Sequence, residues 1–366
     1  MPMKLHEIIT CLESFAPLAY QESYDNSGLI CGEPDMELRS ALICLDSTED
    51  VIEEAIKLDA NLVIAHHPIV FSGLKKITGS TYVERVIMKA LRNNIAIYAC
   101  HTNLDNVCDG VNAKIAEKLG LKNTKVLQPK NSLLKRLITF CPQEKAEEVR
   151  NAIFKAGAGT IGNYDECSFN SNGTGTFRAS EGANPYVGEI GKRAEEPEVK
   201  IETIYPAYLE SKVISALIKA HPYEEVAYDL IPLTNAHKQV GSGLIGELPE
   251  PLDAMEFLAG LKAAMKADML RYTAVKKGKV SKVAVCGGSG SFLLKNAIRA
   301  GADVFVTADF KYHEFFDAEN QIVVADIGHY ETEHFTSELI YEILTKKFNT
   351  FALHLSKINT NPIKYL

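Results

Sequence analysis

No run in this chain approaches the roughly 18 apolar residues that mark a membrane span. The first residues, 1–7, also lack the basic-then-apolar pattern of a secretory leader. Paired cysteines are missing too. Eight thiols lie scattered at positions 11, 31, 44, 100, 108, 141, 167 and 286 with no CxxC spacing, which argues against a disulfide framework. Several sit inside apolar runs, as Cys44 and Cys100 do, and point to reduced, buried thiols in a cytoplasmic protein. Basic charge is in short supply. Lys plus Arg total 39 against 47 Asp plus Glu, for a formal charge of −8, so grip on a nucleic-acid backbone is not the expected activity. Nucleotides as small ligands stay open. Gly and Pro, at 24 and 14, are too few for a collagen-like or linker-like chain.

What is present is ordinary globular material, 46% hydrophobic and 23% charged over 366 residues. That length predicts more than one domain. The first 127 residues alternate helices (5–15, 49–58, 82–93 and 110–118) with short apolar strands (41–45, 62–65 and 95–99). Short apolar strands between helices predict a parallel sheet covered on both faces. The last 126 residues use the same grammar, with helices at 254–265, 292–300 and 331–347 and strands at 283–286, 304–306 and 322–325.

The two ends also match in register. At an offset of 242, Cys44 falls on Cys286, Ser47 on Ser289 and Ala60–Asn61 on Ala302–Asp303. Likewise Ala55–Ile56–Lys57 falls on Ala297–Ile298–Arg299, and Leu62–Val63–Ile64 on Val304–Phe305–Val306. We read this as one strand–helix–strand unit used twice, giving two related three-layer αβα lobes of an α/β protein, at 1–127 and 241–366. Chance likeness between generic units is the competing explanation. The middle, 128–240, reads differently, with strands at 133–140, 200–205 and 226–230 and helices at 143–156 and 209–220. Short β segments at 166–169 and 174–177 flank a turn-rich Asn170–Gly173. This order predicts an inserted ferredoxin-like α+β domain of split βαβ type.

Chemistry concentrates at strand ends. The strand Leu62–Val63–Ile64–Ala65 runs into His66, His67 and Pro68, and ligands in open α/β sheets bind beyond the carboxyl ends of strands. Neighbouring side chains on extended backbone diverge, so two metal ions a few ångströms apart suit the pair better than one. Two structural histidines are the plainer alternative. The next strand ends in Cys100–His101–Thr102–Asn103–Leu104–Asp105. In the second half Asp326–Ile327–Gly328–His329 is followed by Glu333, four residues on and on the same helix face; a solvated surface pair is the alternative. Histidine and carboxylate without thiolate suit Zn, Fe, Mn, Co or Ni alike. A dinuclear site of this kind lowers the pKa of water and supplies a nucleophile at neutral pH.

The segment Val283–Ala284–Val285–Cys286 followed by Gly287–Gly288–Ser289–Gly290 is either an anion-binding turn or a plain tight turn. Asp309 and His313, after the strand equivalent to the twin-histidine strand, are candidates for proton transfer or substrate contact, with a structural role as the alternative. His6, His237 and His354 stand alone. His221 and His334 have acidic neighbours but no placed partner.

Taken together, Asp25–Asn26–Ser27–Gly28, the His66–His67–Pro68 strand, His101–Asp105, the glycine turn, Thr307–Ala308–Asp309 and Gly328–Glu333 resemble the Nif-three-like family, whose members carry the name GTP cyclohydrolase 1 type 2 homolog. The likeness runs in order over nearly the whole chain. It implies two divalent metal ions held by His66, His67, Asp105, His329 and Glu333, with Glu333 as the bridge. It also implies facing lobes, a toroidal homohexamer and a CutA/PII-like middle domain, on which Gly157–Tyr164 and Ala220–Glu225 resemble the insert. Tyr24, Ala65 and Ala308 depart from the family's usual Trp, Thr and Gly, and none of these is an expected ligand. The activity so implied is hydrolysis of a small, nucleotide-like molecule, with His101, Asp309 or His313 moving protons. A metal-dependent scaffold or regulator with a ligand-sensing middle domain is the second expectation. No membrane partner is expected.

Overall fold

The runs Ser40–Asp46 and Leu62–His67 are buried at every residue but the last of each. Strands buried on both faces belong inside a parallel sheet with helices above and below. The computed structural model, which describes residues 2–275 and 278–366, has this arrangement. Its first sheet is built from β1 (Gly28–Cys31), β2 (Ser40–Asp46), β3 (Leu62–His67) and β4 (Ala96–Ala99). Between and around them run α1 (Leu5–Phe15), α2 (Glu49–Lys57), α3 (Tyr82–Arg92), α4 (Thr102–Asp105) and α5 (Val111–Lys118), and β5 (Lys122–Lys130) follows. Local chemistry sets the helix starts: Thr48 and Thr81 each accept a backbone N–H from the first turn of α2 and α3, as Ser/Thr N-caps do.

The chain forms two units, Met1–Gln128 with Gln239–Leu366, and Pro129–Lys238. The second unit consists of β6 (Leu134–Pro142), α6 (Ala146–Lys155), β7 (Phe169–Arg178), β8 (Arg193–Pro206), α7 (Glu210–Ala220) and β9 (Tyr228–Leu233). Its antiparallel strands lie in the order β7-β8-β6-β9, a split βαβ arrangement. Both helices pack on one face, around Leu137, Cys141, Val149, Ile201 and Val213. The Asn170–Gly173 segment is not a turn, contrary to the sequence expectation. It lies inside β7, which pairs with β8 without a break from Phe169 opposite Glu202 to Arg178 opposite Arg193. Ladder pairing outweighs the local turn preference of Asn and Gly here.

The chain then returns to the first unit through β10 (His237–Asp253), α8 (Ala254–Ala264), β11 (Arg271–Tyr272), β12 (Lys279–Ser289), α9 (Leu294–Arg299), β13 (Val304–Ala308), β14 (Val323–Asp326), α10 (His329–Glu333), α11 (Thr336–Lys347) and β15 (Ala352–Leu355). The second sheet has the order β11-β14-β13-β12-β10-β5, and the first has β1-β4-β3-β2-β15. The internal repeat is therefore spatial. Ala41 pairs with Leu62, and Val283 with Val304, each shifted by the same 242 residues. Each sheet also carries a short antiparallel strand beside its third repeat strand, β1 on β4 and β11 on β14.

Two further expectations need correction. The stretch 331–347 is not one helix. It breaks between α10 and α11, where Phe335 is buried at 3% exposure with the Lys118 ammonium over its ring, while His334 stacks on Tyr330. Nor does 241–366 pack as one lobe. Helix α11 lies against α1 and β2, and β15 pairs with β2 in the first sheet. Beyond β15 the chain first follows that lobe, where Ser356 donates to Glu54 and the Thr360 hydroxyl to Asp46, and then reaches α10, where Asn361 donates to Glu331. The eight cysteines are free thiols. Among the described residues no helix is long and apolar enough to cross a membrane.

Candidate metal centre

Strand β3 delivers His66 and His67 to the edge of its sheet. The carbonyl of Cys100, just past β4, lies 2.7 Å from His66 Nδ1. A carbonyl only accepts, so Nδ1 carries the proton and Nε2 keeps its lone pair. That nitrogen faces Asp105 Oδ1 at 3.7 Å and Glu333 Oε1 at 3.8 Å. Asp46 pairs with His67 in the parallel register of β2 and β3, and its carboxylate lies 2.7 Å from His67 Nδ1. His67 Nε2 then points at Glu333 Oε2, 3.0 Å away.

The second half brings the rest. Gly328, at φ 98°, turns the chain out of β14 into α10, a conformation that favours glycine. One helical turn apart, His329 and Glu333 share a face, with His329 Nε2 3.0 Å from Glu333 Oε2 and 3.4 Å from His67 Nε2. Asp309 holds His329 Nδ1 at 2.6 Å. Glu333 is only 3% exposed and is split between two sets of partners: Oε1 faces His66, and Oε2 faces His67 and His329. The glycine turn makes room for it. A Cβ on Gly288, itself at φ 58°, would lie 2.4 Å from Glu333 Oε1.

His101 completes the rim, with its ring 5.3 Å from that of His66 and 5.4 Å from that of His67. Its Nδ1 meets Asp25 at 2.7 Å. Asp25 also accepts from the Thr102 backbone and hydroxyl and from the Ser27 hydroxyl, so the Asp25–Gly28 motif is a brace for His101. Each of the four rings thus has Nδ1 tied to a carbonyl or carboxylate, the outer arrangement that orients metal-binding imidazoles.

The electrostatics favour positive charge. Burial works against protonation of His67, yet Asp46 and Glu333 hold it up at about 10. Burial likewise opposes His329, but Glu333 and Asp309 raise it to about 11. His66 goes the other way: burial pushes it down to about 4 and leaves a neutral ring. Burial and the Glu333 charge raise Asp105 well above the carboxylate range. Burial would raise Glu333 too, but the surrounding imidazoles, His329 foremost, hold it well below.

These residues fit a divalent cation on structural grounds. Among the described residues, His66 Nε2 and Asp105 Oδ1 are buried with no hydrogen-bond partner, and Glu333 Oε1 faces the same space. One imidazole nitrogen and two carboxyl oxygens thus converge on one space. Each unsatisfied buried group costs about 1–3 kcal/mol, and a cation bound between His66 Nε2 and Asp105 Oδ1 would satisfy both. The potential ligand atoms fall into overlapping groups, His66–Asp105–Glu333, His67–His329–Glu333 and His66–His67–His101.

The structure thus brings together all five residues expected as ligands, and His101 with them. Asp309 stands behind His329 as a positioning carboxylate. His313 does not join: it is exposed, with its ring against Tyr312 and Phe316. The glycine turn is also accounted for internally. Gly287 N–H donates to Asn112 and Gly288 N–H to Thr332, so neither is offered to an anion. His221 and His334 bond to the backbone carbonyls of Phe140 and Met265. Sequence reasoning missed Asp46 as the partner of His67 and gave Asp25 no role. The signal for Asp46 was there: it ends β2 as His67 ends β3. A cavity of about 330 Å³ opens over the cluster, lined in part by Tyr24, Phe71, His101, Asn106, Ser242 and Phe292.

Fold and cluster define a two-lobed α/β protein with an inserted α+β unit and a histidine–carboxylate centre suited to metal. The chain belongs to the Duf34/NIF3 (NGG1p interacting factor 3) family, whose profile matches residues 3–362. It is 40% identical to proteins named GTP cyclohydrolase 1 type 2 homolog from Halalkalibacterium halodurans and Bacillus subtilis, with 98% of each chain covered in both comparisons. Among solved structures it is similar to a Bacillus cereus protein related to NIF3, at 41% identity and TM-score 0.87 over 100% of both chains. It is also similar to a Staphylococcus aureus protein at 29% identity and TM-score 0.79, over 100% of this chain and 99% of that one.

Proposed function

We propose that this protein holds two divalent metal ions, one at His66, Asp105 and Glu333 and one at His67, His329 and Glu333, and hydrolyses a small nucleotide-like molecule. The observation that carries this reading is the split of one buried carboxylate between two sets of nitrogen donors. A metal pair of that kind supplies Lewis acidity and an acidified water. The chain's own residues do the remaining work. Asp25 fixes His101 at the cavity wall, where its second nitrogen exchanges a proton with the reacting group. Asp46 and Asp309 hold His67 and His329 in orientation. Tyr24, Phe71 and Phe292 give the cavity aromatic walls for a planar ring, and Asn106 and Ser242 add polar contacts. The naming of the relatives supports ring-opening hydrolysis as the reaction class, and the eight free thiols support a reducing, cytoplasmic setting.

The test starts with elemental analysis of protein purified without added metal, followed by a screen against nucleotides and phosphoesters. Glu333→Ala and His66→Ala should lose bound metal and turnover together. Turnover that survives complete metal removal would refute the reading. The second reading, a non-catalytic metal-dependent regulator, is favoured by one observation: the inserted unit has a cavity of its own, of about 630 Å³.

A further inference from the structure

That second cavity lies wholly within the inserted unit, between the open side of β7 and β8, the β7–β8 connection and the segment between α7 and β9. Its volume falls in the range of small-molecule sites, about 300–1,000 Å³. Glu198 sits in its wall. Strand alternation places Glu198 on the face opposite Val199 and Ile201, which point into the helix-covered core. Glu198 is nevertheless 9% exposed. Its Oε1 accepts one hydrogen bond from the Tyr223 hydroxyl at 2.9 Å. The other oxygen is accommodated by the bare backbone of Gly175, where a Cβ would come within 2.2 Å of Oε2.

No cation of the chain neutralises Glu198 among the described residues. Lys200, next along the same face, is paired with Glu202 at 2.5 Å. Arg178, at the end of β7, lines the cavity as Lys200 does, and forms no ion pair with Glu198 among the described residues. The nearby His221 is kept neutral: Nε2 donates to the Phe140 carbonyl and Nδ1 accepts the Tyr223 N–H, while burial lowers its pKa. A buried carboxylate with a single donor and no counter-charge is costly, and it sets the sign of the ligand that would relieve it.

The remaining lining is mixed: Phe140, Phe177, Tyr186 and Tyr223 supply rings, and Glu224 and Glu225 add two more carboxylates. Phe177 and Tyr186 flank Tyr223 at centroid distances of 6.0 and 6.2 Å, tilted by 57° and 52°. The three rings are tilted and not stacked on one another, and all three line the cavity. Ring faces around a carboxylate are the chemistry that recognises an alkylammonium group. We infer that this cavity is a binding site for a small organic cation, with Glu198 as the counter-charge and Phe177, Tyr186 and Tyr223 as the enclosing rings. The inference does not depend on the metal centre and holds for an enzyme or a regulator alike.

The probe is choline, titrated calorimetrically into the full chain. Its uncharged analogue, in which carbon replaces the quaternary nitrogen, is the control. Saturable binding of choline is expected, with the analogue weaker by about tenfold or more. Glu198→Gln should weaken choline by a similar factor. Tyr186→Leu, at a ring that is 45% exposed and so safe for folding, should weaken it severalfold with no change in melting temperature. Hydrogen-exchange protection by choline should fall on β7 and on 221–227. The inference is overturned if choline does not saturate at millimolar concentration, or if the uncharged analogue binds equally well. It is also overturned if acetate binds more tightly than choline. If Glu198→Gln does not fold, Tyr186→Leu and the analogue decide the matter.

Discussion

At the end of β3 the first lobe carries His66 and His67. At the equivalent end of β13 the second carries Ala308 and Asp309. The two positions share a backbone register but not a chemistry. His67 presents a ring to the centre, whereas Asp309 stands behind a ring, that of His329. The same division recurs one strand over. Where β2 ends in Asp46, which orients His67, β12 has Gly288, whose missing side chain leaves room for Glu333. Duplication thus yields two similar ledges, and the centre arises because they differ: one side filled, the other emptied or turned to support.

The sharpest way to break this complementarity is at Glu333, whose two oxygens face the two sets of nitrogens. Glu333→Gln should lower metal content from about two ions per chain to almost none by elemental analysis. If both ions remain, the two halves do not depend on that bridge. The next test fills the emptied ledge. Gly288→Ala places a methyl against Glu333 at a positive φ and should cost about 1–3 kcal/mol of stability in denaturant titrations, besides weakening metal. A neutral result would make the glycine an accident of the turn.

Removing the supports should cost less and should cost the same on both sides. Asp46→Asn and Asp309→Asn each should weaken metal by about 10–100-fold in competition with a chelator, with the ligands themselves intact. Unequal losses would show that the two carboxylates are not counterparts. A smaller effect follows from the protons. His67 and His329 hold theirs at neutral pH, with values at about 10 and about 11. Metal must displace them, so affinity rises with pH and falls as the solution is acidified. Calorimetry at pH 7 in buffers of different ionisation heat should read release of up to about two protons; uptake would reverse the assignment. Last, His313→Ala should leave metal content and turnover unchanged and stability within about 0.5 kcal/mol.

The parts of this molecule readable from sequence are those where burial sets the pattern. Strands β2, β3 and β13 carry unbroken apolar runs at 41–45, 62–65 and 304–306 because both faces are covered there, and the repeat survives because it encodes that covering. Edge strands were not readable. β1, β5, β11 and β15 are partly exposed and owe their conformation to a neighbour far away in sequence. The same reason hid the break at Phe335, where tertiary burial interrupts a good helical pattern. At the centre, the rings and carboxylates announced themselves by type and spacing. The supporting groups did not, because Asp46 gains its role only from lying beside His67 in a parallel register, and the Cys100 carbonyl leaves no trace in side-chain identity.

The return of the chain to Asp46 through Thr360 has a consequence in time. Synthesis proceeds from the N-terminus, and His67 is made 266 residues before Glu333. For most of translation the nascent chain carries only one ledge of the centre, and the hydroxyl that secures Asp46 arrives later still. On the reading proposed above, stable metal capture therefore follows translation and is performed by a chain that has already closed upon itself.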